Sequence, residues 1–560
     1  MGKITPRWAL HWVVLVGAVL TGCAPVAGGP ELPRPAQAAP VLTTAPPTTT
    51  TTLDPAEVMA RECPTELCLV YHIDPAATWS SGEPVTVADF ARTVGIMSDP
   101  LVDGPEIYDS IVSLDAIDPS TFRLALTGRV GDWPVLFERL LPEQAGEAGD
   151  PAALAGTGPY RIAEWVSGDR IVVQRVDDWW SSNDPISGTA SGTVNEIVFV
   201  FINDHEELLD ALEDGTVDVV STRATADLLE GLADIEGYQH VVSPGPFWEH
   251  IDFHHEDPML SQSWVREVFA LAIDREKALQ ATVRLVDPAA TTLDNTVWMQ
   301  GTDGYESHYV DRYDPVAAEQ LLVEHGCQRE DDVYVCGDRE MAFRWASTTD
   351  DPARRDLFES VRDDLEVVGI ELIGDFRSPS GFVTRDFLFA GPDVWQLVNF
   401  SWRASPDPAR ADGTYLCDES ALNVNRYCSQ TVDDLLHAAG TTGDQTERAA
   451  IYNEADRVYL EDRAVIPLYQ KPNLMVWRSD LVGPVPNWTS QSDLWNVSSW
   501  TGRDSIVVAL ATEPAHLDPR LSDDDHANAV LSTLLYGAFG MDSTSRRIPV
   551  LVDSVDLVEG

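Results

Sequence analysis

Apolar and polar positions along this chain fall into short blocks with recognisable periods. Leu67 to Ile73 is an apolar run broken only by His72 and reads as a strand. Thr86 is placed as the N-cap of a helix carrying Asp89, Phe90 and Val94. Phe122 to Leu126 is a short strand, and Asp132 to Leu141 is expected to be helical. Gly156, Gly158 and Pro159 make a rigid turn. Tyr160 to Trp165 and Arg170 to Val176 then form a hairpin around Ser167-Gly168-Asp169. Val194 to Phe201 is a strongly apolar strand. A helix over Glu206 to Leu212 ends at Gly215, before a strand at Val217 to Val220. Val265, Val268, Phe269 and Ala272 share one helical face. Arg312-Tyr313-Asp314-Pro315 opens a helix that runs through Leu321-Leu322 to Gly326.

With 560 residues, the chain can form more than one lobe and a large core. Its 44% apolar content is ordinary, but its net charge of −54 is not. Such a charge excludes nucleic acid, which needs a basic face, and disfavours direct contact with anionic lipid headgroups. Solubility or an acid-rich proteome accounts for most of it. Lysine occurs only at Lys3, Lys277 and Lys471, so arginine carries nearly all the positive charge.

The N-terminus changes the compartment. Lys3 and Arg7 precede the apolar run Trp8 to Leu20, as in an export signal over residues 1–22. Leu20-Thr21-Gly22-Cys23 resembles a bacterial lipobox, making Cys23 the expected lipid attachment point and that lipid the only membrane anchor. Residues 23–62, rich in Pro, Ala and Thr, read as a tether. The expected location is the outer face of the bacterial cytoplasmic membrane. Six further cysteines form three local pairs, Cys63 with Cys68, Cys327 with Cys336 and Cys417 with Cys428, and an oxidising compartment favours disulfides. No GxSxG, HExxH, P-loop or GxGxxG in its proper context is found, so neither an enzyme nor a cofactor is expected. His254-His255-Glu256-Asp257 is the one dense ligand-like cluster, but adjacent strand residues point to opposite faces, and no metal site is assigned.

Several segments resemble family 5 extracytoplasmic solute-binding proteins, the peptide and nickel receptors of ABC importers. They are Gly156-Thr-Gly-Pro-Tyr160 with the hairpin ending at Trp179-Trp180, and Trp79-Ser-Ser-Gly-Glu-Pro-Val-Thr-Val-Ala-Asp89. Leu212 to Val219, Val265-Arg266 through Ala272-Ile-Asp-Arg275, Tyr313-Asp-Pro315, Gly369-Ile370 and Ile466-Pro-Leu-Tyr469 continue the likeness in the family's order. The resemblance implies two α/β lobes of the periplasmic-binding-protein type, a cleft between them, and crossovers near Val242–Ile251 and Leu468–Trp477. It implies a monomer that takes a peptide or similar polar solute to an ABC transporter permease. A structural surface lipoprotein, and less readily a metal or metallophore receptor, are the alternatives.

One piece is out of order. After Leu494-Trp-Asn496, where the family's domain normally closes, Ser505 to Pro519 resembles the family's N-terminal opening strand and its "EP-x-x-LDP". The order resembles a circular permutation, with a truncated tandem copy as the rival. The expected division is lobe I over 63–249, lobe II over 250–470, a return to lobe I over 471–502, and 503–560 completing lobe I. Ile506 to Leu510 is expected in one sheet with the strands near Val70 and Ile197. By the resemblance, Phe247, Trp248, Trp395 and Trp402 are candidate cleft walls, and Ala515 and His516 face the cleft. Peptide-binding relatives often carry an Asp at the position of Ser405 in Trp402-Arg403-Ala404-Ser405, pairing with the ligand's amino group. Asp407 is the nearest substitute, and the departure puts free-amine peptides in doubt.

Overall fold

The computed structural model describes residues 63–559 apart from 100–101, 103–104, 129, 143–153, 418–421, 491 and 521–523. The export signal, Cys23 and the tether lie outside the described residues. Side-chain capping starts the helices where the sequence places them. The Thr86 N–H donates to Asp89 Oδ2 at 2.8 Å ahead of the helix Val87–Met97. Asp314 Oδ1 accepts from Ala317 N at 2.9 Å, with Pro315 in the first turn of Pro315–Glu324.

The strands used below are β1 (Leu67–Ile73), β2 (Ile111–Ala116), β3 (Thr121–Leu126), β4 (Tyr160–Val166), β5 (Arg170–Arg175), β6 (Glu196–Phe201), β7 (Val219–Arg223) and β8 (Tyr238–Phe253). Next come β9 (Ala342–Thr348), β10 (Glu371–Arg377), β11 (Leu397–Arg403), β12 (Val465–Arg478), β13 (Ser505–Leu510) and β14 (Val552–Glu559). A ten-stranded sheet runs β10-β9-β11-β8-β12-β7-β13-β6-β5-β4. The long strands β8 and β12, near its middle, pair antiparallel from Val465–Asp252 to Arg478–Tyr238. One side of this pair carries β9 to β11, the other β4 to β7 and β13. The cores divide accordingly. One large cluster runs from Ile251 to Tyr469, and another joins Tyr160 through Val219 to Met475 through Leu535.

β13 lies between β6 and β7 and is parallel to both, with Ile506 opposite Ile197 and Val508 opposite Val219. Ile506 is fully buried. The strand near Val70 does not share this sheet, contrary to expectation. β1 belongs to a separate sheet, β14-β1-β3-β2, because its two edges are taken by β14 (Val70 opposite Asp556) and β3 (Val70 opposite Arg123). The helix expected over Asp132–Leu141 is also absent. Only Trp133–Val135 makes a short 3₁₀ turn. Leu136 is extended and Phe137 takes φ 59°, a left-handed backbone that ends any helix there.

The Gly156 to Tyr160 turn is held against the C-terminal segment. Gly158 N donates to Leu534 O at 2.9 Å, and Tyr536 N donates to Thr157 Oγ1 at 2.9 Å. The Thr157 carbonyl accepts from both indoles, Trp179 at 3.2 Å and Trp180 at 3.1 Å. A Cβ on Gly156 would lie 2.0 Å from Leu534 O, so this contact admits only glycine. All three cysteine pairs are disulfides: Cys63–Cys68, Cys327–Cys336 and Cys417–Cys428.

Gly156→Ala is therefore expected to destabilise the protein by about 1–3 kcal/mol through overpacking against a backbone that cannot swing aside. Urea denaturation measures it. An unchanged midpoint would show that residues 503–560 do not pack on this turn.

Candidate functional site

β8 and β12 meet around a buried charge network. Glu249 Oε1 accepts from Arg354 Nη2 at 3.0 Å, Lys471 Nζ at 3.0 Å and Ser401 Oγ at 2.7 Å. Its Oε2 accepts from Asn399 Nδ2 at 2.9 Å, and Lys471 also pairs with Asp351. Burial alone would raise the Glu249 pKa. Arg354 and Lys471 outweigh it and hold the carboxyl well below the usual carboxylate range. The β8–β12 register is irregular between Pro467 and Tyr469 and between Gln470 and Pro472. A central strand tolerates prolines only beside such irregularities, because they cannot donate to the ladder. The arginine that follows Ala272-Ile-Asp explains a second motif. Buried Arg275 donates to Pro467 O at 2.7 Å and stacks 4.4 Å from Tyr309, tying its helix to β12.

Beside the crossing strands is a cavity of about 330 Å³. The end of β11 supplies Arg403, and the segment after it supplies Ala404, Ser405 and Arg410. The facing wall comes from Glu138 and Arg139, from Trp488, and from the C-terminal segment with Arg520, Asp525, Tyr536 and Arg547. Two ion pairs cross the space, Arg403 Nη1 to Asp525 Oδ1 at 2.5 Å and Arg410 Nη2 to Glu138 Oε2 at 2.6 Å. Glu138 raises the Arg410 pKa. Burial lowers that of Arg139 to about 10, so its guanidinium is cationic at neutral pH. A recess of about 30 Å³ lined by Trp248, Trp402, Tyr415 and Leu422 shares Arg403, Ala404, Ser405 and Arg410 with the larger cavity.

The expected site residues separate into two groups. Trp248, Trp402, Arg403 and Ser405 line the cavity or its recess. Phe247 lies outside these walls, beneath the Arg403 guanidinium at 5.6 Å. Trp395 is a core residue rather than a wall: it is fully buried, its Nε1 donates to Phe387 O at 3.1 Å, and it packs on His254. Asp407 is not turned to the cavity. It is buried, accepts from Arg448 at 2.9 Å and lies 3.5 Å from Arg547. Burial would raise its pKa, but these two arginines lower it, so the carboxylate is already neutralised from within. Ala515 and His516 lie outside both walls, where the same segment contributes Pro519 and Arg520 instead. Reasoning from sequence missed Glu138, Arg139, Arg410, Arg520, Asp525 and Arg547. They come from distant segments, and no spacing marks them. His254 and His255 give their Nε2 atoms to the carbonyls of Ala390 and Ala464. Burial takes the His255 pKa down to about 4. Among the described residues no three His, Cys, Asp or Glu side chains converge as a metal site.

Residues 63–380 match the family profile of bacterial extracellular solute-binding proteins, family 5. The chain belongs to this family. An oligopeptide-binding protein of Mycobacterium tuberculosis is 24% identical over 74% of this chain and 71% of its own. The periplasmic oligopeptide-binding protein of Salmonella typhimurium is 21% identical over 76% of this chain and 80% of its own. Among solved structures, a periplasmic EDTA-binding protein superposes with TM-score 0.66 at 20% identity, covering 78% of this chain and 85% of its own. The Bacillus subtilis oligopeptide-binding protein AppA, in complex with a nonapeptide, gives 0.57 at 18% identity, covering 78% and 88%. The chain thus has the two-lobed α/β fold of family 5 binding proteins, and the segments Val242–Ile251 and Leu468–Trp477 lie within the paired strands β8 and β12.

Replacing Glu249 by Gln should destabilise the folded chain by about 3–5 kcal/mol, because Arg354 and Lys471 lose the buried anion they share and keep only the more exposed Asp350 and Asp351. The folded pKa of Glu249 lies below its unfolded value near 4.3. Its contribution is therefore complete above that value and is lost as pH falls through the folded pKa. Urea titrations should find the gap between wild type and Glu249→Gln constant from about pH 7 to pH 5 and narrowing below about pH 4.

Proposed function

We propose that this protein is the solute-capturing component of an ABC importer and holds a peptide or similar polar solute between its two lobes. The observation that carries this reading is the cavity beside β8 and β12, whose walls come from both sides of the crossing strands. Two long strands shared by both lobes can bend as a hinge while each lobe keeps its own core, so closure around a ligand costs little internal packing. Relatives with the same fold are named for binding oligopeptides, EDTA and Ni(L-His), so the family accommodates diverse polar solutes. In this reading the protein is a monomer, exported and anchored through a lipid on Cys23 to the outer face of the cytoplasmic membrane.

The wall chemistry narrows the ligand. Ser405 is neutral, and the nearby Asp407 is taken up by Arg448 and Arg547. A free α-amino group therefore meets no uncommitted carboxylate on that turn, which favours solutes with the amino end blocked or absent. The seating of β13 between β6 and β7 supports reading the segment order as a circular permutation completed within one chain.

A thermal-shift screen of the chain from about residue 55, paired with small-angle scattering, tests this reading. Di- to hexapeptides, blocked peptides, oligosaccharides and nickel chelates form the panel. A true ligand at about a hundred times its Kd should add about 2.7 kcal/mol to the native state and shrink the radius of gyration. A cooperatively folded, ligand-free sample that neither shifts nor closes with any class would favour a structural surface lipoprotein.

A further inference from the structure

Resting on the solute-binding reading, we propose that the cavity selects an anionic solute and that arginines at the lobe boundary read its acid group. The chain as a whole carries 91 acidic residues against 37 basic ones. The cavity wall inverts that balance. Arg139, Arg403, Arg410, Arg520 and Arg547 line it, against Glu138 and Asp525 as its lining acids among the described residues; outside the lining, Asp518 pairs with Arg520 and Asp407 lies 3.5 Å from Arg547. Solubility explains an acidic surface, but it does not explain arginines gathered, half-buried, around one cavity. Placing cations in a recess has a desolvation cost that is recovered only when anions meet them.

The partners of these arginines show how an outside anion would be received. Arg403 ends β11 and Arg410 lies in the segment after it, whereas Asp525 and Glu138 come from the opposite wall, so each pair spans the cavity. Both acids are partly exposed, so their grip on the arginines is open to exchange. Arg410 also lines the apolar recess beneath Trp248 and Trp402. A carboxylate, phosphate or sulfate entering the cavity can take the remaining N–H donors of Arg403 and Arg410 through the paired geometry that guanidinium offers. An ammonium group would meet the same wall as a repulsive field. Closure of the lobes would then be locked by a ligand anion bridging the cationic walls, in addition to the two internal pairs.

Matched probes separate charge from shape. N-acetyl-trialanine carries one negative charge, N-acetyl-trialanine amide none, and trialanine amide one positive charge. Tricarballylate supplies an anion without a peptide. Isothermal titration and thermal shift on the whole chain should show at least one anionic probe binding at least tenfold more tightly than the neutral and cationic probes. Arg403→Gln, checked for a wild-type melting transition, should remove most of that preference while weakening neutral probes less than threefold. If the neutral or cationic probe binds as well as the anions, the proposal fails and the solute-binding reading stands. If no anion binds at 10-fold the concentrations that saturate a ligand from the broader panel, the proposal fails in the same way. If nothing in either panel binds or closes the protein, both fail. Should Arg403→Gln not fold, the wild-type comparison of acid with amide decides alone.

Discussion

β8 and β12 are paired antiparallel along nearly their whole length, and both lobes are built outward from that pair. β11 adds to β8 on one side, and β7 adds to β12 on the other. A ladder this long would be stiff if it were regular. Four prolines, Pro244 and Pro246 on β8 and Pro467 and Pro472 on β12, and two register irregularities interrupt it, and Glu249 and Lys471 beside them are charged and buried. Glu249, Arg354 and Lys471 then fix the crossing point by charge, because separating Glu249 from its two cations would leave a buried carboxylate without a counter-charge. Lys471 is one of only three lysines in the chain, and the other interior cations are arginines. In the proposed closure the network would serve as a fixed pivot, and the irregular ladder around it would supply the compliance.

The same contrast between fixed and exchangeable charge distinguishes the pivot from the cavity. At the pivot every polar atom of Glu249 is taken by a neighbour, and nothing is left for a solute. In the cavity, Arg403 and Arg410 are held by single carboxylates from the facing wall, at its rim. Asp407 belongs to the first kind although its position in the sequence suggests the second. Two arginines from other parts of the chain have closed it off. A carboxylate's neighbours, and not its place in a motif, decide whether it can meet a ligand.

The C-terminal segment contributes more than a strand. Its helix Asp525–Leu534 is pressed against the Gly156–Gly158 turn, its Asp525 faces Arg403, and its Arg547 reaches Asp407. The segment therefore completes the sheet, buttresses the hairpin that precedes Trp179 and Trp180, and forms part of the cavity wall. The described residues of this segment thus meet the cavity through packing as well as through charge.

By itself the sequence determined the family, most strand and helix positions, the three local disulfides and the course of the two crossing strands. These follow from local chemistry: apolar periods, capping residues and glycine turns act over a few neighbours and survive in short motifs. Its failures were of one kind. The helix expected over Asp132–Leu141 yields to a left-handed Phe137 held by distant contacts. β1 turns from the main sheet because β14 and β3 claim its edges. Trp395 withdraws into the core because two carbonyls and His254 receive it. Only the tertiary structure gathered Arg139, Arg410, Arg520 and Arg547 around one cavity in so acidic a chain. The reason is physical: the field at a site sums charges by distance in space, and residues hundreds of positions apart in sequence stand side by side there.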